Sequence, residues 1–184
     1  MFRALFLGLV AVFVVGCASV PESLQTQSEN PITDYRQVVA EPALAQGLEV
    51  RMGGIIAAIT NQQHRTRIEI VSLPLTKDGR PMLDKKPQGR FVSYVDGFLE
   101  PLEYRPGRLL TVAGWVDGSE HGTVGEFNYT FPVIKVSGSQ LWQIKQEILL
   151  DDFERNFNCI GLRCPVTGYG FGYTRGEVTQ RVTK

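Results

Sequence analysis

The chain has 184 residues, and its 19 Lys and Arg are balanced by 19 Asp and Glu. Neutrality excludes the basic surplus by which proteins neutralise nucleic-acid phosphates, so no nucleic-acid partner is expected. A hydrophobic share of 43% with 21% charged residues excludes a disordered or fibrous chain and suits one globular domain with appendages.

The N-terminus is an address. Arg3 supplies a positive n-region, Ala4 to Val15 form an apolar run, and Val14-Val15-Gly16-Cys17 closes it. At about 1.5 Å per residue the run falls well below the roughly 30 Å hydrocarbon core, so residues 1–16 read as a cleaved signal peptide rather than a span. The quartet resembles the lipobox of bacterial lipoproteins, which implies cleavage before Cys17 and lipidation at Cys17. Several acyl chains hold a protein on a membrane stably. Ordinary cleavage around Gly16-Cys17-Ala18 is the alternative. Ala18, standing where retained inner-membrane lipoproteins carry aspartate, resembles the sorting pattern for the outer membrane.

Residues 17–46 are rich in Ser, Gln, Thr, Asn, Pro and Glu without an apolar period. They read as a lipid-anchored tether holding the folded part off the membrane, with Tyr35 to Ala40 as a helical turn or docking segment inside it.

From 47 to 145 the signals are β. Val50, Met52, Ile55 and Ile56 across Gly53-Gly54 predict a first strand with a glycine bulge or close backbone approach. After a turn at Thr60 to Gln63, Thr66 to Ile70 alternates, placing Ile68 and Ile70 on one face and Arg67 and Glu69 on the other. Three prolines, Asp78-Gly79 and Lys85-Lys86 make Leu73 to Gly89 a long exposed loop. Arg90 to Val95 is a third strand ending at Asp96-Gly97, and Leu109 to Val116 a fourth, interrupted at Gly114. Phe127, Tyr129 and Phe131 alternate with polar residues in a fifth that continues through Val133 to Val136. The fold class expected is all-β, a small five-stranded OB-like barrel with long loops. A half-open sandwich fits the same pattern. For residues 146–184, Leu149, Phe153 and Phe157 at i, i+4 and i+8 predict a short C-terminal helix, followed by a Gly/aromatic tail around Gly168 to Tyr173.

Several residues could carry chemistry. Asp117, Glu120, His121 and Glu126 sit in a glycine-rich stretch between strands four and five. One imidazole with scattered acids falls short of clustered metal-ligand spacing, so a solvated loop is the preferred reading and no metal or other cofactor is expected. Asp96, Glu100 and Glu103 flank turns, where nothing indicates the burial that tunes an acid–base pair. No nucleophile–base signature appears, so no catalytic residue is assigned. An envelope enzyme, hydrolytic or metal-dependent, using the loop acids and His121 is the alternative. His64-Arg65-Thr66-Arg67 and Lys85-Lys86 offer a basic patch for lipid phosphates, against a plain solvated surface. Arg67, Arg90, Arg108 and Tyr104 are the binding candidates, and Arg90 and Arg108, each preceded by glycine, also suit bracing of the barrel ends through carbonyls or Glu126. Export would pair Cys159 with Cys164 in a disulfide worth about 2 kcal/mol. Two cysteines without a nearby histidine make an incomplete zinc site.

Arg51-Met52-Gly53-Gly54, Thr66-Arg67-Ile68-Glu69, Gly79-Arg80-Pro81, Gly89-Arg90-Phe91 and Gly97-Phe98-Leu99-Glu100-Pro101 form a block pattern. Tyr104, Gly107-Arg108, Thr111-Val112, Gly114, Gly125-Glu126, Trp142 and Val20-Pro21 extend it. The pattern resembles the Slp family of outer-membrane lipoproteins. That resemblance implies a lipid-anchored protein of the cell outer membrane linked to starvation-inducible expression and stress tolerance, and brings no catalytic residues. The expected partners are the membrane, through the N-terminal lipid, and an envelope protein, glycan or lipid.

Overall fold

The computed structural model describes residues 19–150 and 176–184, with backbone alone at 146–150 and 176–178. Five strands carry the architecture: β1 (Glu49–Asn61), β2 (Arg65–Leu73), β3 (Gly89–Asp96), β4 (Leu109–Val124) and β5 (Phe127–Leu150). Their order is β3-β2-β1-β4-β5, and β3 pairs again with β5 in parallel at Val92–Val133, Ser93–Ile134 and Tyr94–Lys135. The five strands thus form a ring. A sixth strand, β6 (Gly176–Thr183), pairs with the far half of β5, from Gln143–Thr183 to Leu150–Gly176.

The alternation in β2 holds as expected, with Ile68 and Ile70 buried in one cluster to which all five ring strands contribute. Val50, Met52, Ile56, Phe91, Leu110, Val112 and Ile134 join them. Each such side chain stabilises by about 1.5–3 kcal/mol through removal from water. The expected irregularity in β1 falls at Ala57, between the Ile56 and Ala58 pairings, and not at the glycines. Gly53 and Gly54 serve close approach instead. A Cβ at Gly53 would lie 2.7 Å from the Leu110 carbonyl oxygen, and one at Gly54 would overlap that of Val71.

Three expectations are corrected. The stretch Asp117 to Glu126 is not a loop, because β4 runs to Val124 and meets β5 in a hairpin turning at Gly125, where φ is +61°. Glu120 pairs with Phe131 and Gly122 with Tyr129, so the β5 ladder, which shifts register between Val116 and Ser119, draws a polar, glycine-bearing segment into strand. Leu149 is not helical, for it lies in β5 opposite Glu177. There the backbone ladder to β6 overrides the helical spacing, while Phe153, Phe157 and Gly168 to Tyr173 lie outside the described residues. The long connection Leu73 to Gly89 is packed in part, with Pro81 and Gly79 buried and the Gly79 carbonyl accepting from Thr111 Oγ1 at 2.8 Å.

The N-terminal segment expected to be a tether carries elements that dock. A 3-10 turn spans Glu22–Leu24, followed by α1 (Tyr35–Ala40) and α2 (Pro42–Ala45). Asp34 caps α1 by accepting from the Arg36 N–H at 3.0 Å, and Pro42 opens α2 with its preset φ. Tyr35, Val38 and Ala45 are buried in the main cluster. Leu24 instead joins a second cluster with Leu109, Ala113 and Trp142, against which Val20, Ile55, Leu83 and Val182 pack. Arg51 Nε donates to the Leu24 carbonyl at 2.9 Å, and the Glu49 carboxylate accepts from the Gln27 N–H at 3.0 Å. Burial at this clamp lowers the Arg51 pKa from its usual value.

Candidate functional site: a closed charge cluster and an open arginine cleft

Arg67 and Glu69 on β2 share a face with Arg90 and Tyr94 on β3, because Arg67 pairs with Tyr94 and Val71 with Arg90 across the ladder. The β4–β5 hairpin brings Glu120 to the same place. Arg67 grips one oxygen of Glu120 through Nη2 at 2.7 Å and Nε at 2.9 Å, and Tyr94 Oη donates to the other at 2.7 Å. Arg90 Nη1 meets Glu69 Oε1 at 2.6 Å, and Arg67 Nη1 stands 3.9 Å from the other Glu69 oxygen. The Arg65 guanidinium lies over the Tyr94 ring at 3.7 Å. Burial and then the bond to Glu120 push the Tyr94 phenol up from its usual pKa.

A tyrosine pair extends the cluster. Tyr35 and Tyr129 share a hydrogen bond of 3.1 Å, and the Arg90 N–H donates to Tyr129 Oη at 3.0 Å. Burial, followed by the Tyr129 hydroxyl, raises the Tyr35 pKa well above the ordinary range. Gly89 is required here, since a Cβ on it would overlap the Tyr35 ring. Both carboxylates of the cluster are engaged by guanidinium groups. The arrangement is a clamp holding the hairpin and α1 to β2 and β3.

The sequence-predicted acids are not brought together. Neighbours in a strand point to opposite faces, so Glu120 turns to Arg67 while His121 is exposed, its Nδ1 3.1 Å from Thr130 Oγ1. Asp117 is exposed and Glu126 sits at the hairpin turn, with seven strand residues between Asp117 and Gly125, about 23 Å of extended chain. Asp96, Glu100 and Glu103 are exposed around the β3–β4 connection. Among the described residues no group of three or more His, Cys, Asp or Glu could hold a metal. Arg90 braces Glu69 rather than Glu126. Tyr104 is half-buried against the main cluster, which makes it a packing residue in place of the surface contact expected. His64 is exposed, and Lys85 pairs with Asp84 at 3.0 Å. Cys17, Cys159 and Cys164 lie outside the described residues.

Arg108 stands elsewhere, in a cleft of about 360 Å³ lined by Arg105, Arg108, Leu109, Trp142, Gln143 and Ile144. Leu109 and Trp142 are ladder partners, and Trp142 Nε1 donates to Thr111 Oγ1 at 3.0 Å, which fixes the indole. The Arg108 Nε is buried without a hydrogen-bond partner. Among the described residues, neither Arg105 nor Arg108 forms an ion pair. Arg105 was missed from sequence, although Arg105-Pro106-Gly107-Arg108 puts two guanidiniums at the ends of one tight turn.

The profile of the Outer membrane lipoprotein Slp family matches residues 14–167, beginning at Val14 of the signal quartet. The chain belongs to this family. It is an outer-membrane lipoprotein of the bacterial envelope. Among its relatives is the uncharacterized lipoprotein YeaY of Escherichia coli (strain K12), 35% identical over 150 residues, 82% of this chain and 77% of the relative. An uncharacterized protein of Haemophilus influenzae is 32% identical over 78% of this chain and 75% of its own length. The outer membrane protein Slp of Escherichia coli is 28% identical over 96% of this chain and 93% of its own. No solved structure matches the chain significantly.

Proposed function

We propose that this Slp-family lipoprotein is anchored through Cys17, faces the periplasm and acts there by binding rather than by turnover, in support of survival under starvation and stress. In this reading its ring is an OB-like barrel. The parallel β3–β5 contact supports that, because it closes five strands in the manner of a Greek-key barrel and leaves few open edges. The observation that carries the functional reading is a contrast of charges. Glu69 and Glu120 are already held by arginines, whereas Arg105 and Arg108 face a cleft with no acid of their own among the described residues.

Complementation of a stress-survival defect in a deletion strain tests it. Cys17→Ser abolishes palmitate labelling and survival, and H121A, E126A, D96A and E100A each retain survival. The enzyme reading replaces this one if a single such alanine abolishes survival with fold, level and location intact while a metal or a turnover co-purifies with the wild type.

A further inference from the structure

Val20 packs against the cluster that contains Leu109 and Trp142, and those two residues also line the Arg105–Arg108 cleft. The point where the chain enters its described part and the cleft therefore border one and the same buried cluster. Only Ala18 and Ser19 lie between Cys17 and Val20, and the three chain steps span at most about 11 Å, however extended they are. A bilayer's interfacial layer is itself roughly 5–7 Å deep on each side of the hydrocarbon. An acyl chain at Cys17 leaves no slack to hold Val20 away from the surface.

The chemistry of the cleft suits what it would meet there. Guanidinium groups pair bidentately with phosphate oxygens, and Arg108 Nε is a buried donor still without an acceptor. The indole of Trp142 and the 43% exposed Ile144 supply an apolar wall beside the two cations. Glu100 and Glu103 lie on the same connection but do not line the cleft.

We propose that the side bearing the cleft lies flush on the membrane and that Arg105 and Arg108 hold the phosphate oxyanions of anionic lipid headgroups in the cleft beside Trp142. The proposal rests on the reading of Cys17 as the anchor. It makes the N-terminal segment a short hinge on the bilayer instead of a long spacer.

The test uses the full processed chain purified from membranes. Intact mass first reports whether Cys17 carries acyl groups. Hydrogen exchange at 105–109 and 142–144 is then compared in uncharged micelles, phosphatidylcholine vesicles and phosphatidylglycerol-rich vesicles, with and without inorganic phosphate. Exchange slows on the order of tenfold in the anionic vesicles, the scale of two arginines at a charged surface. R105Q/R108Q removes the slowing. R105Q alone, at an exposed side chain, removes part of it, while unchanged exchange in β1 and β2 shows that the fold is intact. An acylated protein with equal protection in neutral and anionic vesicles, or with protection indifferent to both variants, overturns the headgroup site alone. Protection by inorganic phosphate in micelles equal to that on vesicles makes the ligand a free ion and overturns the membrane assignment. Absence of acyl mass overturns the anchor, and with it this proposal.

Discussion

Two arginine groups on this molecule face opposite circumstances. Arg67 and Arg90 reach partly buried carboxylates within 2.7 Å, whereas Arg105 and Arg108 line a cleft without a counter-ion among the described residues. Arg67, Arg90 and Arg108 all belong to the blocks that resemble the Slp pattern, so residue type alone does not separate them. Saturation does. A guanidinium met by a carboxylate from a neighbouring strand is part of how the ring and hairpin are held, and one left without an acid keeps its binding capacity for something outside the chain.

The contrast can be broken most severely at Glu69, which is 8% exposed. Glu69→Ala leaves Arg90 without its acceptor and should cost about 2–3 kcal/mol in urea unfolding, the scale of breaking a largely desolvated pair. Glu120→Gln keeps the shape but weakens the bonds from Arg67 and Tyr94. About 1 kcal/mol is expected, together with faster exchange in the 117–132 hairpin. High pH attacks the same cluster more gently. Tyr35 and Tyr94 have folded-state pKa values above their unfolded values, so their contribution is complete below about pH 10 and is lost as pH rises through the folded values. Thermal melts from neutral to alkaline pH should fall more steeply for the wild type than for Tyr35→Phe. Arg108→Gln sharpens the other side of the contrast. With no ion pair to lose among the described residues, it should move the urea midpoint by the equivalent of about 0.5 kcal/mol or less, yet remove most of the selective protection on anionic vesicles.

The ring was legible because its strands announce themselves locally. Ile68 and Ile70 alternate with Arg67 and Glu69, and Phe127, Tyr129 and Phe131 alternate with Asn128 and Thr130. What escaped depends on distant partners. Asp117-Gly118-Ser119 reads as loop until β5 lies beside it, and Gly122 is where Phe131 packs, with its ring carbon 3.1 Å from where a Cβ would stand. The N-terminal segment escaped for a related reason. Leu24, Tyr35, Val38 and Ala45 are apolar residues too widely scattered to form a period, yet each finds a buried place on the ring. At the site, Glu69 and Arg90 are 21 positions apart and Arg67 and Glu120 are 53, so no local spacing could have paired them. The Cys17 expectation is of the opposite kind, resting on its immediate neighbours alone, and it lies outside the described residues.

The seating of Ser23 against Gly138 orders events in time. No side chain fits between the Ser23 carbonyl and β5, and Ser23 reaches Gln140 across a separation of 117 positions. Ser23 must therefore wait for a partner more than a hundred positions further along the chain before it can dock, since so distant a contact closes only after the intervening ring has formed. The segment from Val20 to Leu24 is therefore among the final pieces set in place on the ring, although it precedes every strand of the ring in the chain.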